Sequence, residues 1–447
     1  MDNEQFKAAM LRQYYRWRRW APKRLLYHPD HFLVRRLLAA EPEVQASFVA
    51  ARLRLILQTA LTHVPYYRGK VRIDTHDIAH APLPELIARF PYIDKAEVME
   101  RQRAFLDERL DPRFLVYATS HGSTGTGIGV WRNKRESDIE KAFYAAEWGR
   151  YGFDFDKSRY LRIGYDAAQP LDAAPTWCLG NRLMLSPDHV QAAHLPAILR
   201  AIDRFGPQYM HAYPSAALAL AELLAHGGQG TGFPLRGVLL ASEPASTAQL
   251  AQISRAFGAP VSISYGLTER TNLAFASHDG TTASQYQFQA LYGWNENRVR
   301  LGRHEIVGTS LWNETMPLIR YCTGDYAVVD SHGRCAGIEG RLQEFVLDRH
   351  GNRLPGLMIA LDACTWHFIK ACQLYQRECG KVTLRVVPRH GGLGPHERAA
   401  LLAGPIRYWG RDIEFDCVEV ADIAAGPGGK RRFVISDIEC HDQPASP

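Results

Sequence analysis

The sequence predicts a large N-terminal α/β domain, residues 1–340, followed by a small mobile α+β domain, residues 341–447. Three observations predict it. A chain of 447 residues exceeds one ordinary core, so two or three domains are expected. Strand-like and helix-like segments alternate between about residues 137 and 266, which implies a mostly parallel sheet with flanking helices. After residue 340 the texture changes to a β-α-β run with a glycine-rich tail.

Residues 6–26, FKAAMLRQYYRWRRWAPKRLL, carry basic and aromatic side chains and no acidic one. We read them as a helix whose aromatics dock on the body while Arg16, Arg18 and Arg19 face water. The alternative is a surface for an anionic membrane or RNA. Residues 43–63 have helical periodicity and stop before the turn VPYYRG. From residue 137, SDIEKAFYAAEWGRYGF places an acid three residues after Ser137, the pattern of a capping box opening a helix. YLRIGYD is then a strand, and DHVQAAHLPAILRAIDRF a helix. YMHAYPSAALALAELLAHGG is a strand end turning into a helix. RGVLLASEP is a short buried strand with a polar end, and TAQLAQISRAFGAPVSISYG a helix then a strand. In the C-terminal part, KVTLRVVP and RDIEFDCVEV are strands around the helix GPHERAALLAGPIRYWG. Ligands gather at the carboxyl ends of such parallel strands. The polar turns TSHGSTG, AYPS, SEP and YGLTE all fall there.

Composition narrows the class. Hydrophobic content of 46% and charged content of 22% suit a globular protein, and a net charge of +6 gives little reason to expect a nucleic-acid or membrane partner. The 8 cysteines form no CxxC pair or zinc-spaced cluster, which reads as reduced thiols in a cytoplasmic protein. The opening MDNEQFKAAMLRQYY lacks the apolar core of a signal peptide, and no segment reaches 18 apolar residues.

Four stretches carry chemistry. TSHGSTGTG, residues 119–127, combines three glycines with five hydroxyls, which suits a loop wrapping phosphate. It is not the loop of a P-loop NTPase, because Ile128 and Gly129 stand where that motif needs Lys and Ser or Thr. SYGLTER, 264–270, places an aromatic face for a base, a hydroxyl and a carboxylate for Mg²⁺ in one short segment. RYCTGDYAVV, 320–329, sets Asp325 in a Thr-Gly-Asp turn suited to paired ribose hydroxyls. GPGGKRRFVI, 426–435, lifts Lys430 on a glycine-rich tail, from which it reaches a developing charge when its domain closes.

In this order the stretches resemble the adenylate-forming superfamily of acyl-CoA ligases, in particular its phenylacetate–CoA ligase, coenzyme F390 synthetase and CapK branch. The turns Tyr213-Pro214-Ser215 and Ser242-Glu243-Pro244, the run from Gly324 to Leu354, HVPYYRG and IDKAEV fit that branch over roughly residues 45–440. The resemblance implies that Thr119, Ser120, Gly122, Ser123, Thr124 and Gly125 cradle the ATP phosphates. Ser242, Glu243 and Pro244 would line adenine. Tyr265, with Gly266 beside it, would stack on that base. Thr268 would touch phosphate, and Glu269 would ligate Mg²⁺. Asp325 and Arg341 would bind ribose, and Lys430 would bridge carboxylate and α-phosphate. His211, Tyr213 and Trp148 are candidates for the acid pocket; the histidines His121 and His211 are not needed as bases, since the chemistry requires none. The sequence departs from the branch at His121, Gly127 and the neutral hinge residue Gln343, and Cys335 stands alone where some relatives hold zinc.

The implied activity is ATP-dependent activation of a carboxylic acid to acyl-AMP, then transfer to an acceptor, with CoA favoured. The runner-up acceptor is an amine or hydroxyl of a metabolite, as in F390 synthetase and CapK relatives; a different class of reading is a nucleotide-binding scaffold without catalysis. Trp148, Trp177 and Tyr213 suit an aryl or medium-sized apolar acid, or else belong to the core.

Overall fold

The computed structural model describes residues 10, 13–15, 17, 18, 20–119, 128–167, 169, 172–226, 233–300, 302–338, 345–351, 353–355, 368–389, 391–423 and 434–438. The chain divides into two compact units. Residues 1–118, 129–168 and 175–340 form the first, and residues 119–128, 169–174 and 341–447 the second.

Among the described residues, fourteen strands precede residue 340. β1 (Val116–Thr119) and β2 (Gly129–Arg132) form a two-stranded sheet. The main sheet has nine strands. They are β3 (Tyr160–Ile163), β4 (Thr176–Leu179), β5 (Arg182–Leu185), β6 (Tyr209–Ala212), β7 (Gly237–Leu240), β8 (Val261–Gly266), β9 (Leu273–His278), β10 (Tyr286–Phe288) and β14 (Arg334–Cys335). Its order is β14-β10-β9-β8-β7-β6-β3-β5-β4. The central run β8-β7-β6-β3-β5 is parallel, as the alternation predicts, while β4, β9, β10 and β14 add antiparallel edges. β11 (Gly293–Arg300), β12 (Arg303–Ser310) and β13 (Tyr321–Tyr326) make a separate antiparallel sheet.

Period-two alternation sorts the parallel strands between two layers. Leu161, Ile163, Met210, Ala212, Val238, Leu240, Val261 and Ile263 share a core with Ile198, Ile202, Leu220, Leu224, Leu250 and Ile253 of helices Leu195–Phe205, Pro214–His226 and Thr247–Phe257. The opposite face, through Tyr160, Tyr209 and Leu239, packs on Trp148 and Phe153. Gly258 ends its helix in the left-handed region at φ 60° and turns the chain into β8.

Two sequence expectations are corrected. The helix Lys134–Gly149 starts before Ser137: the Asn133 side chain accepts the Glu136 N–H at 3.1 Å, and Glu136 Oε1 accepts the Asn133 N–H at 3.1 Å. The capping box belongs to Asn133 because β2 ends one residue earlier, leaving no room for an extra coil segment. Arg18 does not face water. It is buried, its Nε donates to Asp156 Oδ1 at 2.5 Å, and the Tyr27 hydroxyl donates to Asp156 Oδ2 at 2.8 Å. A buried carboxylate needs a paired cation, and Arg18 supplies it. Trp17 and Trp20 are exposed instead; Arg16 and Arg19 lie outside the described residues.

In the second unit, β15 (Phe345–Leu347) pairs with β16 (Arg353–Pro355). β17 (Ile369–Glu378), β18 (Lys381–Pro388), β19 (Glu414–Glu419) and β20 (Val434–Ser436) form a sheet of order β19-β18-β17-β20. Helix Pro395–Trp409 makes the crossover between parallel β18 and β19, and buries Leu401 and Trp409 against Leu384, Val386, Phe415 and Cys417.

Candidate active site

The registers Ile163↔Ala212, Ala212↔Leu240 and Leu240↔Ile263 bring the carboxyl ends of β3, β6, β7 and β8 side by side. Three of the motifs therefore leave the sheet at one edge. After β7, Ser242 adopts φ 75°, a left-handed conformation that costs a non-glycine residue about 1 kcal/mol. The turn sends Glu243 back across the end of β6, where its Oε2 accepts the Ser215 N–H at 3.1 Å, in the first turn of helix Pro214–His226. A carboxylate there satisfies an orphan donor and faces the positive end of the helix dipole. Glu243 thus locks the SEP turn to the YPS turn, a role the sequence did not reveal. Tyr213 caps β3 through its N–H to the Ile163 carbonyl at 3.3 Å, and the Arg162 guanidinium lies 5.6 Å from its ring centre.

The end of β8 is tied to β13 by two reciprocal bonds. The Tyr265 hydroxyl on β8 donates to Asp325 Oδ2 on β13 at 3.0 Å. The Tyr321 hydroxyl on β13 donates to Glu269 Oε1, just past β8, at 2.6 Å. Both carboxylates are buried, each about 7% exposed. A hydrogen bond to a buried carboxylate contributes about 1.5–3 kcal/mol, so the pair holds Glu269 and Asp325 at a fixed separation. Burial and the neighbouring Asp325 push the Tyr265 hydroxyl well above its usual range, so it remains a donor. Asp325 owes its placement to a bulge: the β12–β13 register shifts between Glu305 and Val307, the Asp325 N–H donates to Thr323 Oγ1 at 3.1 Å, and Gly324 takes φ 73°. Behind Glu269, Gly293 leaves room for the Thr271 carbonyl, which would lie 1.9 Å from an added Cβ.

Sequence reasoning missed Tyr321. Its signal was a shared spacing: Tyr265 precedes Glu269, and Tyr321 precedes Asp325, by four residues. We expect Tyr321→Phe to leave the fold intact, reduce pyrophosphate exchange about 10- to 100-fold and raise the Mg²⁺ concentration needed for half-maximal rate. Exchange with unchanged magnesium dependence would make Tyr321 a packing residue only.

His211, on β6, is neutral at physiological pH: desolvation first, then Arg162 and Arg182, holds its pKa well below 6.5. Its imidazole is therefore a weak proton acceptor. Trp148 is 1% exposed and lies in an aromatic core with Phe153, Tyr160 and Tyr209. It reaches toward the sheet face through an edge contact with His211, 4.9 Å between ring centres, rather than lining an opening. Tyr144, one turn earlier on the same helix, bonds Ser264 Oγ at 3.1 Å on β8. Thr119 ends β1, and Thr268 and Gly266 sit in the β8 turn. Ser120, Gly122, Ser123, Thr124, Gly125, Arg341, Gln343 and Lys430 lie outside the described residues.

Asp188 is a second group the sequence did not single out. It follows β5 in the turn Pro187–His189, is buried, and its Oδ1 has no hydrogen-bond partner. Burial pushes its pKa up from 3.8 to about 8. The folded carboxyl therefore keeps its proton where the unfolded one has lost it, and stability falls as pH rises across that window. Asp188→Asn mimics the protonated form. Its gain in melting temperature should grow from about pH 5 to about pH 8; an equal shift at both would show that Asp188 is ionised in the folded chain.

Glu269 also answers what the site can hold. Its Oε1 accepts the Tyr321 hydroxyl, and as a carboxylate it has a second oxygen that could ligate a cation. One buried carboxylate suits Mg²⁺, which draws its remaining ligands from water and substrate phosphates.

This mixed α/β fold, with its motifs gathered at the parallel strand ends, is that of the adenylate-forming enzymes. Residues 88–296 match the model of the family described as AMP-binding enzyme. Over 275 residues the chain is 20% identical to Protein CapK of Staphylococcus aureus, a match covering 58% of this chain and 59% of CapK. The chain thus spans less than two thirds of that relative. A solved structure of 2-hydroxyisobutyryl-CoA ligase with 2-HIB-AMP and CoA superposes with a TM-score of 0.50 at 18% identity, over 89% of this chain and 90% of that one. The same ligase with R3-HIB-AMP in its postadenylation state gives 0.49 at 19% identity, over 87% and 89%. The resemblance to the adenylate-forming superfamily carried by the motifs is borne out by the AMP-binding match and by the likeness to CapK. No helix among the described residues is long and apolar enough to cross a membrane.

Proposed function

We propose that the protein activates a carboxylic acid with ATP and passes the acyl group to CoA. One observation carries the reading furthest: the latch that fixes Glu269 and Asp325 beside the turns after β6 and β7. In the first step a carboxylate oxygen attacks the α-phosphorus of ATP, and the bond to the β-phosphate oxygen breaks to release pyrophosphate. In the second the thiolate sulfur attacks the acyl carbon and AMP leaves. Neither step needs a side-chain base, and burial beside Arg162 and Arg182 leaves His211 a weak proton acceptor. Asp325, whose Oδ2 accepts the Tyr265 hydroxyl, would bind the ribose hydroxyls, as the motif resemblance implies. Tyr265 presents its ring and Thr268 its hydroxyl from the β8 turn, and Ser242-Glu243-Pro244 forms the neighbouring wall. The motif resemblance is what supports assigning the phosphates to the TSHGSTG stretch that begins at Thr119. Glu269 is the residue that would hold Mg²⁺, whose charge screens the phosphates when bound.

The acid lies against the sheet face of His211, Tyr213, Tyr144 and Ser264, with Trp148 behind it. That face mixes aromatic surface with hydroxyl and imidazole groups. The finer placement, in the phenylacetate–CoA ligase and F390 synthetase branch, rests on the motif order. ATP–pyrophosphate exchange against a panel of acids tests activation, and acid-independent ATP binding without exchange would leave a scaffold. Hydroxamate trapping followed by incubation with CoA, amines and sugars identifies the acceptor; acyl-AMP that persists with CoA but reacts with an amine or hydroxyl would replace the thioester reading.

A further inference from the structure

The segment of residues 10–26 presents an apolar face to solvent for a structural reason. Its other face is pinned. Arg18 is held by Asp156 and Tyr27, Lys23 bonds Asp154 at 2.7 Å, and Tyr15 packs against Gly180 and the Arg182 guanidinium, 4.4 Å from its ring centre. What remains outward is Met10, Tyr14 and Trp17, at helical spacing i, i+4, i+7, followed by Trp20 and Leu25. Trp20 is 84% exposed and Trp17 54%. Burying two indoles in protein would stabilise the fold by several kcal/mol, so leaving them in water points to a partner.

We propose that this face docks on an anionic lipid membrane. Residues 6–26 contain seven Lys and Arg and no Asp or Glu, complementary to an anionic surface. Among the described residues Gln13 and Arg24 are exposed beside this apolar set, but Leu25 and Met10 offer nothing to stack on a base, so a lipid interface fits better than RNA. Tryptophan favours the headgroup boundary, where its ring is buried and its N–H stays wet. Two of the seven cations are already neutralised by Asp156 and Asp154, so apolar insertion has to supply much of the binding.

The test uses the full chain with vesicles of phosphatidylcholine alone and with added phosphatidylserine. We expect co-sedimentation with the serine-containing vesicles only, weakening as salt rises, with a blue shift of tryptophan emission. The double variant Trp17→Ala/Trp20→Ala should lose roughly tenfold or more of that binding while its melting temperature and ATP–pyrophosphate exchange stay unchanged. Absence of binding by the folded wild-type chain overturns the proposal, as does binding that the double variant retains. Capture of single-stranded RNA in place of vesicles would reassign the face to nucleic acid. A concentration-dependent dimer abolished by the double variant would reassign it to a second copy.

Discussion

Glu269→Gln is expected to lower ATP–pyrophosphate exchange by about 10²–10³-fold, while the melting temperature stays near that of the unsubstituted chain. The structure explains why the two effects separate. Glu269 Oε1 accepts the Tyr321 hydroxyl at 2.6 Å, and a glutamine carbonyl in the same rotamer accepts it equally. The latch between β8 and β13 therefore survives, and Tyr265 still bonds Asp325. What disappears is the negative charge that would hold a divalent cation against the phosphates. The measurement is exchange as a function of magnesium. Loss that added magnesium partly restores supports ligation by Glu269. Near-wild-type exchange in a folded variant would remove Glu269 from the metal site and leave it as the anchor of Tyr321. Tyr321→Phe separates the same roles from the other side, because it keeps the charge and removes the anchor.

Much of the architecture was legible in the sequence because its signals are local. The run VSISYG alternates buried and polar positions, and the structure makes it β8. Helix Thr247–Phe257 is bounded by a Ser246 cap and Gly258, both readable from residue type. The AYPS, SEP and YGLTE turns fell at parallel strand ends as expected, since a parallel sheet has only one edge to which its carboxyl ends point; β1, before TSHGSTG, belongs instead to the separate two-stranded sheet, and residues 120–127 lie outside the described residues. The rest depended on partners distant in the chain. Ser137 and Asn133 both precede an acid by three residues, and only the end of β2 decides which caps the helix. Arg18 looked solvated among arginines until Asp156, 138 residues away, gave it a buried partner. Glu243 was legible as part of a motif, but not as the acceptor of a helix N-terminus 28 residues earlier. Trp148 suited an acid pocket by type, yet its helix turns it into an aromatic cluster and presents Tyr144 to Ser264 instead. Asp188 had no motif at all. Only its burial without a partner distinguishes it.

Lys430→Ala is expected to abolish acyl-AMP formation yet spare thioester formation from supplied acyl-AMP. Lys430 lies more than 160 residues beyond Glu269, within the glycine-rich run GPGGK. The resemblance implies that this lysine brings one positive charge to the reacting groups. Joining a carboxylate to the α-phosphate gathers negative charge on two groups at once, and a single ammonium between them offsets it only in that step. The second step attacks a mixed anhydride already made and expels AMP, and the resemblance implies that another face of the small domain serves it. The superfamily resemblance implies that the small domain then turns about a hinge, and here the hinge position holds neutral Gln343. Proline at that position fixes φ and removes the N–H, so Gln343→Pro should obstruct rotation without touching Lys430. Its expected phenotype is the inverse: pyrophosphate exchange persists while overall product falls. The two variants, measured by exchange, by single-turnover transfer from synthetic acyl-AMP and by the full reaction, decide the matter together. If Lys430→Ala loses both half-reactions equally, the lysine is structural and one closed arrangement serves both steps. If Gln343→Pro loses nothing, the pivot lies elsewhere in the segment between the two units.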